Sequence, residues 1–115
     1  FALAELEFSR PAFAPDLGER IHFRFRISPP LDPADPLAPY RTVDMTANIF
    51  DIRGRFVRNL YLYDRRSALT PEAPLSDVWD GRDAAGRPVP PGVYVLRLVI
   101  EPNLSRATRS MVVVR

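Results

Sequence analysis

The sequence predicts an all-β domain, an antiparallel sandwich of two sheets and about seven strands. Three observations carry this. Apolar and polar residues alternate with period two in several separate stretches, helical periodicity is almost absent, and turn formers recur at roughly 8- to 15-residue intervals.

At the N-terminus, ALAELEF (2–8) has mixed alternation. Residues 1–8 therefore have two readings, with the domain proper at 9–115. They are either the first strand of their own domain, or an arm that lies along an edge of a neighbouring copy. In the second reading Phe1, Leu3, Leu6 and Phe8 are the interaction residues.

RIHFRFRI (20–27) puts Ile21, Phe23, Phe25 and Ile27 on one face and His22, Arg24 and Arg26 on the other, a half-buried strand. TVDMTANIF (42–50) repeats the device with Val43, Met45, Ala47 and Ile49 inward. DIRG (51–54) then turns the chain, and RFVRNLYLY (55–63) returns as the hairpin partner. GVYVLRLVI (92–100) is nearly continuous in apolar character, which predicts burial on both faces or a place at a sheet centre. SRATRSMVVVR (105–115) follows a Glu-Pro-Asn turn and is its expected antiparallel neighbour. The proline-rich connectors PPLDPADPLAP (29–39) and TPEAP (70–74) should be ordered, extended loops, since proline removes a donor and fixes φ. No internal repeat stands out. The expected core is Ile21, Phe23, Phe25, Val43, Met45, Ile49, Val57, Trp79, Tyr94, Leu96 and Leu98.

Composition narrows the function. With 115 residues and no cysteine, this is one domain that lacks any disulfide, thiolate metal site or cysteine nucleophile. No apolar run approaches the roughly 20 residues that span a bilayer, and no signal-peptide layout precedes the first strand, so the chain reads as soluble. Starting at Phe1, it reads as a processed chain or a piece of a longer one. All 16 basic residues are arginine, but they are spread along the chain against 14 acids, for a net charge of +2. A nucleic-acid footprint needs a clustered basic face, so none is expected. Exclusive arginine fits a hot habitat and GC-rich coding equally well.

The densest motif is VWDGRDAAGRPVPPGVYVLRL (78–98). Asp80 and Asp83 can accept hydrogen bonds from backbone amides just ahead of them, and Gly81 and Gly86 supply the positive φ that tight turns need. Pro88, Pro90 and Pro91 then stiffen the approach to Gly92, where the strand begins. Trp79 is the expected core plug beneath, its indole N–H requiring an internal acceptor. Asp77, Asp80 and Asp83 at spacing three could hold calcium, but Arg82 intervenes and no glutamate closes the site, so turn capping is preferred and no metal or other cofactor is expected. His22 is the only histidine and has no partner set for zinc or a triad. Glu5 and Glu7 lack a framing pocket for hydrolysis. Tyr40, Tyr61 and Tyr63 could form a stacking platform for a sugar or a partner chain. No catalytic residues are expected, and the chain is read as not an enzyme.

One family resemblance rests on Ile49-Phe50-Asp51, Gly54-Arg55, Val57-Arg58, Trp79-Asp80-Gly81-Arg82-Asp83, Gly86, Val89 and Gly92-Val93-Tyr94, with Pro11-Ala12-Phe13 and Gly18-Glu19 upstream. These residues resemble the immunoglobulin-like domain of the flagellar hook-capping protein FlgD and the FlgD-like modules of secreted bacterial proteins, over about residues 9–115. The resemblance implies a seven-stranded sandwich at the cell surface or outside the cell, with a structural role in a surface or filamentous assembly. Its implied partners are copies of itself or neighbouring domains. It also implies, as the alternative, a sorting or anchoring domain on a secreted enzyme, and leaves a carbohydrate- or calcium-binding module as a third class. The insertion at 28–41 departs from the family pattern. Phe1 to Leu6 also resembles the start of a type IV pilin, but Glu7 to Pro11 break the apolar helix that such a chain requires.

Overall fold

The computed structural model describes residues 1–29, 33–101 and 105–115, and among these the chain forms eight strands. They are β1 (Ala2–Phe8), β2 (Ala12–Phe13), β3 (Ile21–Ser28), β4 (Thr42–Asp51), β5 (Phe56–Ser67), β6 (Val78–Trp79), β7 (Gly92–Glu101) and β8 (Ser105–Val113). One sheet has the order β1-β3-β6 and the other β2-β8-β7-β4-β5. All pairings are antiparallel except the short β2–β8 contact. The two sheets face each other across one apolar layer, which is the sandwich that the alternation predicts.

The core forms because each long strand delivers one apolar face to it. Ile21, Phe23, Phe25 and Ile27 of β3 meet Val43, Met45, Ala47 and Ile49 of β4, and Tyr94, Leu96, Leu98 and Ile100 of β7. Of the expected core, Val57 is only partly buried; Leu6, Phe13, Met111 and Val113 join it. The continuous apolar character of β7 comes from its place between β4 and β8 at the sheet centre, with its outward residues Val93, Val95 and Val99 half-covered by their neighbours.

The N-terminal stretch pairs within its own chain, with Ala2 opposite Ser28 and Phe8 opposite Phe23. Its mixed alternation has a cause. Glu5 adopts φ 58 and the register slips between Ala4 and Glu7, so a bulge brings Leu3, Leu6 and Phe8 to the core at spacings of three and two. Glu7 and Glu5 face Arg24 and Arg26 at 3.4 and 3.6 Å on the solvent side, exposed pairs that contribute little. On the inner side Arg109 Nη1 donates to the Leu6 carbonyl at 2.6 Å and lies over the Phe8 ring, tying β1 to β8.

Two expectations for the connectors need correction. The loop 29–39 is not extended throughout, because Ala38–Tyr40 wind into a 3-10 turn with Ala38 buried; residues 30–32 lie outside the described residues, as does most of the Glu-Pro-Asn turn (102–104). β5 also runs past the expected Tyr63 to Ser67, its pairing with β4 resuming after a bulge at Tyr63, φ 53.

Candidate functional site

The motif residues gather at the end of the sandwich where β7 begins and β8 ends, Gly92 lying opposite Val113. Trp79 is 1% exposed there, edge-on to Phe13 at 5.6 Å and to Tyr94 at 5.4 Å. Its indole N–H donates to the Arg82 carbonyl at 2.9 Å, the internal acceptor the ring requires. The Tyr94 hydroxyl donates to the Pro90 carbonyl at 2.6 Å; its ionisation lies above the usual phenol range because the ring is buried, with the charge of Asp51 adding to this. That bond, at the start of a central strand and reaching back to the corner before it, is the tyrosine corner of immunoglobulin-type sandwiches. Gly81 has φ 78 and sits against the Pro15 ring, into which any Cβ at this position would run.

Above this aromatic cluster lie two turns with one geometry. In Asp51-Ile52-Arg53-Gly54-Arg55, the Asp51 Oδ1 accepts from the amides of Arg53 and Arg55, both at 2.9 Å, while the Asp51 amide donates to the Arg55 carbonyl. In Asp83-Ala84-Ala85-Gly86-Arg87, the Asp83 Oδ1 accepts from the amides of Ala85 and Arg87 at the same 2.9 Å, and the Asp83 amide donates to the Arg87 carbonyl. The glycine is left-handed in each, φ 82 and φ 80. The chain thus contains an internal repeat that sequence reading missed, D-x-x-G-R twice. Its short length and unlike middle residues hid it. The Ala84 amide donates to the Val57 carbonyl at 3.0 Å, which docks the second turn beside the first.

Between the turns runs a groove of about 510 Å³, with Phe56, Val57, Ala84, Ala85, Val89 and Pro90 along it. Phe56 is 57% exposed and stands edge-on to Phe50. The aspartates direct one oxygen into their turns, and the Asp51 Oδ2 is 3.4 Å from Arg55 Nε. Among the described residues, the exposed guanidiniums of Arg53 and Arg87 have no partner. The site is therefore a largely apolar trough edged by the Asp51 and Asp83 carboxylates, each tied into its own turn, and by Arg55. It holds no nucleophile–base pair.

The three aspartates diverge. Asp80 pairs with Arg58 at 2.9 Å and caps the Arg82 amide, and Asp83 caps its turn, but Asp77 is 2% exposed and lies elsewhere. Arg66 Nη1 is 2.8 Å from both Asp77 oxygens, and Nε donates to Asp64 at 2.9 Å. The guanidinium lies between the Tyr61 ring at 4.5 Å and the Phe25 ring at 5.5 Å. Nη1 also donates to the Pro71 carbonyl, and Asp77 accepts from the Ala73 amide, so this buried ion pair pins the loop from Ala68 to Asp77. Among the described residues no three metal-ligating side chains converge.

The tyrosines separate as well. Tyr61 turns inward beneath Arg66; Tyr63 at the bulge and Tyr40 on its 3-10 turn are exposed. Burial, then the charge of Asp77, pushes the ionisation of Tyr61 far above the phenol range. At the motif's upstream entry, Glu19 accepts from the Ala14 amide at 2.8 Å, which, with Arg10 beside it, lowers its pKa.

Fold and site together define an immunoglobulin-like β-sandwich module. No family model matches the chain, and neither does any curated protein, so the FlgD-like resemblance stands on its motif residues alone. Among solved structures, the chain is similar to PorZ, a surface component of the type-IX secretion system of Porphyromonas gingivalis, with 17% identity and a TM-score of 0.54 over 96% of this chain. It is also similar to dimeric latent PorU of the same organism, with 18% identity and a TM-score of 0.63 over 95% of this chain. The chain spans 11% and 9% of those proteins' lengths.

Proposed function

We propose that the chain is a non-catalytic interaction module of a bacterial surface protein or filamentous assembly, positioned outside the cell and working by packing against neighbouring domains or copies. The observation that supports this reading is the company the fold keeps. PorZ and PorU contain it over about a tenth of their length, and PorZ is a bacterial surface component. The chemistry of the groove agrees, since a trough of aliphatic and aromatic side chains whose aspartates and tyrosine are tied to backbone groups suits contact between surfaces. The pairing of β1 within its own sheet supports packing through side-chain surfaces over a donated strand.

The second reading, a sorting or anchoring domain of a secreted protein, is favoured by the link between PorZ and a secretion system. A carbohydrate or calcium module has less support, with the tyrosines dispersed and the aspartates engaged elsewhere.

Cross-linking mass spectrometry on the longest native protein containing this chain tests the packing reading, carboxylate-directed reagents being needed in a lysine-free chain. Links from the module to other domains or copies are expected. Links confined within the module would overturn it. A reporter carrying residues 1–115 at its C-terminus, made in a type-IX-secreting bacterium, would reach the cell surface only under the sorting reading.

A further inference from the structure

We propose that the module forms a two-fold dimer through the outer face of its five-stranded sheet, Arg97 of each copy meeting Glu101 of the other. This names a second copy as the partner for the packing reading above and rests on it.

On β7 the residues turned away from the core are Val93, Val95, Arg97, Val99 and Glu101. Asn48 and Thr108 flank Arg97 across the sheet and Val95 and Val99 along the strand, and no diagonal position is acidic. Its guanidinium lies over the Phe50 ring at 4.8 Å, and Nε is shielded from solvent without a hydrogen-bond partner. Elsewhere on the strands Arg24 faces Glu7, Arg26 faces Glu5 and Arg65 faces Asp44. Arg97 meets no carboxylate among the described residues.

Four residues along, the charge reverses. Glu101 lies directly opposite Asp44 on the neighbouring strand, a like-charge arrangement that costs stability. Asp44 has Arg65 at 3.8 Å, on a side chain that is 81% exposed, and Glu101 has no partner among the described residues. One strand therefore presents an unmatched cation and an unmatched anion on the same face.

That pattern is its own complement. A two-fold axis in the plane of the sheet, crossing β7 at Val99 and β4 at Thr46, lays two copies face to face with their strands antiparallel. It sets Arg97 over Glu101 of the second copy, Glu101 over its Arg97, and Asn48 over its Asp44. The Asn48 side-chain oxygen already accepts from Asn59 at 2.8 Å, which leaves its amide nitrogen as the donor to that carboxylate. Val99 meets Val99 at the axis. The like-charge cost is Arg106, across from Val99 on β8, which is exposed and has room to turn toward Glu101 of the other copy. A guanidinium already stacked on a ring loses little hydration on being covered, and aligned sheets pack about 10 Å apart, a gap that arginine and glutamate span together.

The contact is isologous, so association closes at the dimer. Sedimentation of the chain should show the mass doubling by about 1 mM and rising no further, and added salt should weaken the dimer. Arg97→Glu and Glu101→Arg each set like charges opposite one another twice per dimer, and each alone should weaken self-association at least about tenfold. Mixing the two variants is the sharp arm. In a mixed pair the two substituted positions meet as opposite charges and the unsubstituted Glu101 and Arg97 still meet, so one-to-one dimers of parent strength should return. Damage within one copy would not be repaired by adding the other. A chain that stays monomeric at about 1 mM or grows beyond the dimer, a dimer indifferent to salt, variants that associate like the parent, or a mixture that does not recover would each overturn the proposal. Cross-links from the module to other domains in the native protein would leave the packing reading standing in any of those cases.

Discussion

Two regions of this sandwich fix a loop to the core, and they do so by opposite means. Around Trp79 the loop 80–91 is held by aromatic edges, backbone carbonyls and aspartate-capped turns, most of its hydrogen bonds reaching partners near in sequence. Around Arg66 the loop 68–77 is held by two opposite charges taken out of water, with a buried tyrosine hydroxyl that meets no hydrogen-bond partner of good geometry. The first arrangement gains from each contact separately. The second is stable only as a complete set, because any remaining charge would be buried alone.

The largest way to break the comparison is Trp79→Ala. It removes a 1% exposed ring with two edge contacts and orphans the Arg82 carbonyl, and should cost about 3 to 5 kcal/mol in denaturant melts. An unchanged midpoint would move the anchor of the C-terminal end elsewhere.

Next comes Asp77→Ala, expected to cost about 3 kcal/mol because Arg66 keeps its charge and loses its main partner. The sharpening variant is the double change Asp77→Ala with Arg66→Met. If the pair acts as a set, the second substitution recovers most of the loss. A double mutant worse than the single would show that the charges stabilise the domain outright.

The smallest effects come from one substitution made at both places. Tyr94→Phe leaves the Pro90 carbonyl without its donor and should cost about 1 kcal/mol. Tyr61→Phe removes a buried hydroxyl without a well-placed partner and should be neutral or stabilising at pH 7. The pH dependence separates them further. The fold raises the ionisation of Tyr61, so its protonated ring favours the folded state fully below the ordinary phenol pKa of about 10, and that stability is lost as pH climbs beyond it. Melting followed from pH 9 upward should show a shallower alkaline fall for Tyr61→Phe. Parallel curves would place the titration elsewhere.

Most of the first region was legible because its causes are local. Trp79 and its acceptor lie three residues apart, the Asp80 and Asp83 turns are written in consecutive letters, and the apolar alternation of β3, β4 and β7 marks the core faces directly. The ion pair was not legible. Arg66 and Asp77 are separated by 11 positions with no motif between them, and in a strand ending Asp-Arg-Arg-Ser nothing says which arginine turns inward. The bulges at Glu5 and Tyr63 erased the period-two signal where it was needed, making β1 ambiguous and ending β5 four residues early. The twin turns were read one at a time, and only the β4–β5 hairpin and the Ala84–Val57 bond show that they are one wall and its opposite.

The course of β1 and β8 has a mechanical consequence. β1 begins beside Ser28 at one end of the strands, and β8 finishes beside Gly92 at the other, so a pull on the two chain ends runs along the strands. Under such tension β1 slides against β3, and β8 against β7 and the parallel β2, instead of being peeled away rung by rung. Sliding requires a whole row of backbone hydrogen bonds to break together, whereas peeling breaks them in succession. A module strung between other domains in this way resists stretching more firmly than its equilibrium stability alone would suggest.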